Sequence, residues 1–124
     1  MAQEIKLALN GQVKDLFAGI PVSNYDVSLA WYQRFFGCEP SFFPNDVEAV
    51  WQVAQHLMIY IIVAPEHAGH SIQNVMVSDL EPVVSQIAAH GIYYSKEERP
   101  ERNTRKVMYY DPDGNEIGLI HVTS

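Results

Sequence analysis

The sequence predicts an α+β protein made of two tandem units, each running strand, helix, then three strands. Two observations carry this. Val22-Ser23-Asn24 returns as Val77-Ser78-Asp79 at an offset of 55, and the helix-stopping Gly37 returns as Gly91 at an offset of 54. One such unit cannot bury both faces of its sheet, so a tandem pair is the smallest arrangement that yields a core. With 124 residues and 48% apolar content, the chain has material for one domain with a real interior.

Residues 1–14 are mixed and polar and are expected to form an arm. Residues 15–124 are expected to be the domain: unit one at 15–64, a linker at 65–70 and unit two at 71–124. Leu16–Ser23 reads as a strand with Leu16, Ala18, Ile20 and Val22 on one face. Ser23 or Asn24 caps a helix that runs to Phe36 with Val27, Ala30, Trp31 and Phe35 as its apolar stripe. Strands are expected around Glu39–Phe43, Val47–Ala54 and His56–Val63, with a turn at Phe43-Pro44-Asn45-Asp46. In unit two, Ser71–Ser78 reads as a strand. Asp79 starts a helix to His90 with Leu80, Val83, Val84, Ile87 and Ala88 at helical spacing. Strands near Ile92–Lys96, Thr104–Tyr110 and Asn115–Val122 complete the set.

Composition excludes several classes. Eight Lys and Arg against 15 Asp and Glu give a net charge of −7, with no basic patch for nucleic acid or an anionic membrane. The one cysteine, Cys38, rules out an internal disulfide and has no evident activating partner. The N-terminal stretch lacks an apolar signal segment, and the longest apolar run, Leu57–Pro65, is too short to span a bilayer. A cytoplasmic protein is expected.

The duplicated order, together with IPVSNYDVSLAWYQRFFG (Ile20–Gly37), NVMVSDLEPVVSQIAAHG (Asn74–Gly91) and DPDGNEIGL (Asp111–Leu119), resembles the vicinal oxygen chelate superfamily. That superfamily includes glyoxalase I, bleomycin-resistance proteins and extradiol dioxygenases. The resemblance implies curved mixed sheets around a cavity, the glyoxalase/bleomycin-resistance fold. Metal-dependent members place His or Glu ligands in the first and last strands of each unit. Carried onto this chain, those positions are Phe17 and Ile72, five residues before Val22 and Val77, with Gly118 where DPDGxxIEL has its glutamate and Tyr60 as its partner in unit one. Three of the four have no side-chain donor atom and tyrosine is an uncommon ligand, whereas a catalytic divalent ion needs about three His, Asp, Glu or Cys ligands. The resemblance is therefore closest to metal-free, bleomycin-resistance-like members, with no metal, no other cofactor and no catalytic residue expected.

Strand parity assigns faces. Ile20, Val22, Leu57, Ile59, Ile61, Val63, Val75, Val77, Ile117 and Leu119 should meet the helices. Phe17, Met58, Tyr60, Ile62, Ile72, Asn74, Met76, Met108, Tyr110, Gly118 and Ile120 should form the other face, which reads as free of carboxylate, lysine and histidine. That face is either core, filled by its own side chains or a partner subunit, or the lining of a pocket for an apolar or aromatic ligand. On the pocket reading, the ligand residues are Phe17, Met58, Tyr60, Ile72, Asn74, Met76, Met108, Tyr110 and Gly118. Trp51 alternates with Val47, Ala49 and Val53 and is expected in the core; quenching of Trp31 or Trp51 would report binding.

Other residues carry weaker signals. His67 and His70 read as solvated loop residues, His121 as a core or edge residue, and His90 as a helix C-terminal group. Lys96–Lys106 reads as a solvated loop in which Arg102 or Arg105 could meet an anionic ligand group. Three functions are open. The first is a metal-independent protein that binds and sequesters a small molecule, with a second copy of the chain as its expected partner. The second is a metal-dependent lyase, isomerase or dioxygenase using His56, His70, His121 and Glu116. The third is a structural or regulatory dimer with a filled cavity.

Overall fold

A computed structural model describes residues 7–123. Of the expected arm, residues 1–6 lie outside the described residues, and residues 7–14 are exposed. Unit one contains β1 (Leu16–Val22), α1 (Tyr25–Phe36), β2 (Phe42–Asn45), β3 (Glu48–Ala54) and β4 (Leu57–Val63). After a single 3-10 turn at Pro65–His67 come β5 (Ile72–Met76), α2 (Leu80–Ala89), β6 (Lys96–Glu98), β7 (Thr104–Tyr110) and β8 (Glu116–Val122). Each unit is one four-stranded mixed sheet, in the orders β1-β4-β3-β2 and β5-β8-β7-β6. The first and last strands of a unit pair in parallel and the other pairs are antiparallel.

Local chemistry explains most of the boundaries. Asn24 caps α1 by accepting from the Val27 N–H at 3.1 Å. Gly37 ends the helix in the left-handed region, φ 76°, and its N–H returns to the Gln33 carbonyl. Asp79 stands at the start of α2 but makes no side-chain cap bond. Two strands are shifted from expectation. β2 takes in Pro44 and Asn45, and the turn moves to Asp46-Val47, where the Val47 N–H donates to Asn45 Oδ1 at 2.9 Å. Proline fits there because β2 is an edge strand and its missing N–H breaks no ladder. β6 begins only at Lys96, since Ile92 turns into the core instead.

The stripe of α1 is rotated from its expected position. Val27 is exposed, and Ser28, Tyr32 and Phe35 are the buried positions. Tyr32 sets this orientation, because its ring packs against Trp51 and Phe36 and its hydroxyl reaches Asp111. The back faces of both sheets close on the helices in one continuous core that contains Ile20, Val22, Trp51, Ile59, Ile61, Leu80, Ile87, Tyr109, Ile117 and Leu119. Val63, Val75 and Val77 pack on its rim. Leu57, expected inside, is exposed at a strand end.

The Asp111–Asn115 turn joins the two units. Its local chemistry is as expected, with Gly114 at φ 95°. Its side chains reach much further. Asn115 is fully buried, and its amide donates to the Pro21 carbonyl and to Asp111 Oδ2, each at 2.8 Å. Its Oδ1 accepts from the N–H groups of Gly69 and Ser71, at 3.0 and 3.1 Å. Both donors and both acceptor sites of the amide are thus used. Asp111 accepts from the Tyr32 hydroxyl at 2.8 Å, and Asp113 accepts from the Ser23 backbone at 3.0 Å and from the Ser23 hydroxyl.

Replacing Asn115 by Ala strands these buried groups, at ~1 kcal/mol or more each. We expect Asn115→Ala to lower unfolding stability by roughly 3 kcal/mol, read from the urea midpoint with an unchanged slope. Burial also raises the Tyr109 phenol to about 12, and raises Tyr32 further, with Asp111 adding to the effect. The folded state favours the neutral phenols, so their stabilisation is complete below pH ~10 and is lost as pH rises through about 12. Absorbance titration of phenolate should show Tyr32 and Tyr109 ionising only together with loss of the fold.

Candidate functional site

Each sheet leaves one face uncovered by helices. On sheet one, Phe17 stands level with Met58 and Gly19 with Tyr60, beside Val50 and Gln52 of β3. On sheet two, Ile72, Asn74 and Met76 stand level with Glu116, Gly118 and Ile120, and these in turn with Tyr110, Met108 and Lys106. Lys96 lies beside Met108 at the far side. The two registers match unit for unit: Gly19 and Tyr60 hold the places that Asn74 and Gly118 hold in the second sheet. Tyr60 and Gly118 are therefore equivalent positions, as are Phe17 and Ile72.

The nine expected ligand residues fall into two groups. Phe17, Met58 and Tyr60 are on one open face; Ile72, Asn74, Met76, Met108, Tyr110 and Gly118 are on the other. Phe17 is 48%, Ile72 63% and Met76 68% exposed, an unusual amount of apolar surface for interior-type side chains. Met108 is buried against the sheet. Phe17 meets Tyr60 edge to face, with ring centroids 6.4 Å apart.

The expectation of a face without lysine or carboxylate is corrected. Glu116 shares the parity of Gly118, Lys106 that of Met108, and Lys96 joins them from β6. The Tyr110 hydroxyl donates to Glu116 Oε1 at 2.9 Å, and Lys106 Nζ stands 3.7 Å from Glu116 Oε2. Lys96 Nζ lies 5.5 Å from the centre of the Tyr110 ring. The charged segment from Lys96 to Lys106 is therefore not one loop. Its two ends are strands, and counting parity back from Met108 would have found Lys106.

Glycine positions explain how these groups fit. A Cβ on Gly118 would fall 2.6 Å from Lys106 Cε and would also strike Asn74 Oδ1, so the lysine crosses the strand where a side chain is missing. A Cβ on Gly19 would fall 2.7 Å from the end of the Tyr60 ring. In each unit one residue of the equivalent pair gives up its side chain, but for a different neighbour.

Other expected residues lie elsewhere. Arg105 faces the helix side, where it bonds to Glu97 and Glu81, and its hydrogen bonds hold the Glu97 carboxyl below the usual range. It does not border the open face. Arg102 is exposed between β6 and β7. His56 binds Asp15 at 2.8 Å in the β3–β4 turn, His67 and His70 are exposed in the linker, and His121 has back-face parity, so His56, His70, His121 and Glu116 do not gather. Among the described residues no group of three or more His, Cys, Asp or Glu could hold a metal ion. Trp51 is in the core and Trp31 packs on Phe35, so neither indole reports on the open faces.

A separate apolar cleft of about 550 Å³ lies between the units on the helix side. Phe36, Val53, Val77, Val83, Gln86 and His90 line it, and none of the nine expected residues does. No described helix is long and apolar enough to cross a membrane.

The family profile of the glyoxalase/bleomycin resistance protein/dioxygenase superfamily matches residues 15–119. Among solved structures, a glyoxalase/bleomycin resistance protein from Catenulispora acidiphila DSM 44928 is 43% identical, with a TM-score of 0.84 over 88% of this chain and 98% of that one. A bleomycin-binding protein complexed with bleomycin is 21% identical, with a TM-score of 0.71 over 88% and 98%. A lactoylglutathione lyase from Agrobacterium tumefaciens is 16% identical, with a TM-score of 0.69 over 86% and 91%. The last two likenesses concern the fold. No curated protein sequence matches the chain.

The two glycines should respond differently to substitution. Gly19→Ala must push the Tyr60 ring off Phe17 and is expected to cost ~1–2 kcal/mol. In a Tyr60→Ala background that cost should vanish. Gly118→Ala meets only the flexible ends of Lys106 and Asn74 and should stay within ~0.5 kcal/mol. Additive effects of the Gly19 and Tyr60 changes in urea unfolding would contradict the contact.

Proposed function

Because the chain belongs to the glyoxalase/bleomycin resistance protein/dioxygenase superfamily, we propose that it is a metal-independent protein that binds and sequesters a small apolar or aromatic molecule. The observation that carries this reading is the pair of open sheet faces, on which the apolar side chains of Phe17, Ile72 and Met76 are exposed, at the positions where the superfamily builds its site. Phe17, Met58 and Tyr60 form one half of the proposed binding surface, and Ile72, Asn74, Met76, Met108, Tyr110 and Gly118 form the other. The reading includes a homodimer in which a second copy covers these faces, and a cytoplasmic setting. It treats residues 15–124 as the domain, with the units at 15–64 and 71–124 joined by 65–70 and residues 1–14 as an arm.

Sequestration needs shape and apolar contact more than chemistry, and methionines provide adaptable contact of this kind. Phe17, Tyr60, Ile72 and Gly118 offer no ligand set for a divalent ion. A second reading puts the ligand in the cleft between the units, whose volume of about 550 Å³ suits a small molecule.

Methyl NMR with labelled methionine and valine separates the two, since Met58, Met76 and Met108 all lie on the open-face strands and Val53, Val77 and Val83 line the cleft. Native mass spectrometry of protein purified without chelator should give a dimer, a co-purified or added ligand released unchanged, and no stoichiometric metal. That ligand should then shift the methyls of Met58, Met76 and Met108. Shifts confined to Val53, Val77 and Val83 would favour the cleft. A stoichiometric divalent ion, or conversion of the ligand, would overturn the proposal.

A further inference from the structure

We propose that Lys106 is the anchor for an anionic group, so that the ligand of the open face is a small apolar or aromatic carboxylate. This deepens the binding reading given above and rests on it. Lys106 is only 17% exposed at its side chain, which is low for a lysine on an otherwise uncovered sheet. Its sole charged partner, among the described residues, is Glu116 at 3.7 Å, beyond hydrogen-bond reach. An ammonium has three N–H donors, and none of those on Lys106 meets a protein acceptor among the described residues. A shielded cation with unspent donors is a place for an oxyanion to dock.

Its neighbours fit that role. Glu116 already accepts from the Tyr110 hydroxyl at 2.9 Å, which spreads its charge and leaves it holding the ammonium from one side. Asn74 borders the same point above Gly118 with its Oδ1 and makes no side-chain hydrogen bond among the described residues, so a half-turn of its amide brings Nδ2 round to donate to a second oxygen of a carboxylate. Lys96, over the Tyr110 ring at 5.5 Å, adds a further positive charge; Glu98 is level with Lys106 on β6, is exposed, and makes no ion pair with it. Met76 and Ile72 flank Asn74 on β5 and give the apolar body of the ligand a surface. Gly118 is required throughout, since a side chain there would displace both Lys106 and Asn74. The net charge of −7 points toward a cationic ligand, and this local arrangement points the other way.

The test is isothermal titration with three matched probes: 2-naphthoate, 2-naphthamide and 2-naphthylmethylamine. Naphthoate should bind at least tenfold more tightly than the amide, and the amine should bind no better than the amide. Lys106→Met should bring naphthoate down to the amide level, and Lys106→Arg should keep the preference. Glu116→Gln, which removes the competing carboxylate, should tighten naphthoate and not the amide; thermal melting checks that each variant is folded. Equal affinity for naphthoate and amide, or tighter binding of the amine, overturns the anchor and leaves the binding surface standing. Failure of all three probes to bind up to their solubility limits overturns the anchor together with the aromatic-ligand reading on which it rests.

Discussion

The structure depends on the hydrogen bonds around Asn115. Each unit by itself is a half-covered sheet with an apolar back and one helix, too little to exclude water from both faces. The two backs must meet, and the side chains of the Asp111–Asn115 turn fix how they do. The Asn115 amide bonds to the end of β1 through Pro21, to the entry of β5 through Gly69 and Ser71, and to Asp111. Asp111 in turn holds Tyr32, the residue that decides which side of α1 is buried. A buried polar network of this kind is stabilising only when every member is satisfied, and here the amide has no unused position. The orientation of α1, the seating of Trp51 and the closure of the shared core all follow from it.

With the backs committed to each other, the remaining sheet faces can only look outward. That division separates the packed core from the proposed binding surface. The core side holds large, well-packed side chains such as Trp51, Tyr109 and Phe35. On the open side Phe17, Ile72 and Met76 are exposed, so their substitution should cost the fold little, whereas at Gly19 the ring of Tyr60 is in the way.

Much of the fold was legible because its signals are local and repeated. One side-chain-capped helix and a second that starts at Asp79, two left-handed glycines and alternating apolar strands are set by neighbours in the chain, and the duplication supplied the long-range part. The misplaced strands, β2 and β6, are edge strands with few partners, so little in their own residues pins their ends. The stripe of α1 was misjudged because a tyrosine hydroxyl, polar on any scale, is buried against an aspartate 79 positions away in sequence.

The site was legible in part. Parity placed Phe17, Tyr60, Asn74 and Gly118 on the open faces, and the register bears out the equivalence of Tyr60 with Gly118. Lys106 was passed over because it sits at the rim of a charged segment, where composition suggests solvent, and Glu116 was considered only as a metal ligand with His56, His70 and His121. Arg105, the more conspicuous cation, proved to be engaged on the helix side. Only three-dimensional pairing tells an ammonium with hydrogen-bond donors to spare from a spent guanidinium.

The lysine lying across Gly118 also bears on what could be built at this position. A metal site could not be made by one substitution. A glutamate placed at position 118 would meet the ammonium of Lys106 before any divalent ion, and the two charges would neutralise each other. Lys106 would have to change first, and donors would still be needed at Phe17, Tyr60 or Ile72. The order of steps is thus constrained, and the early ones bring no metal affinity.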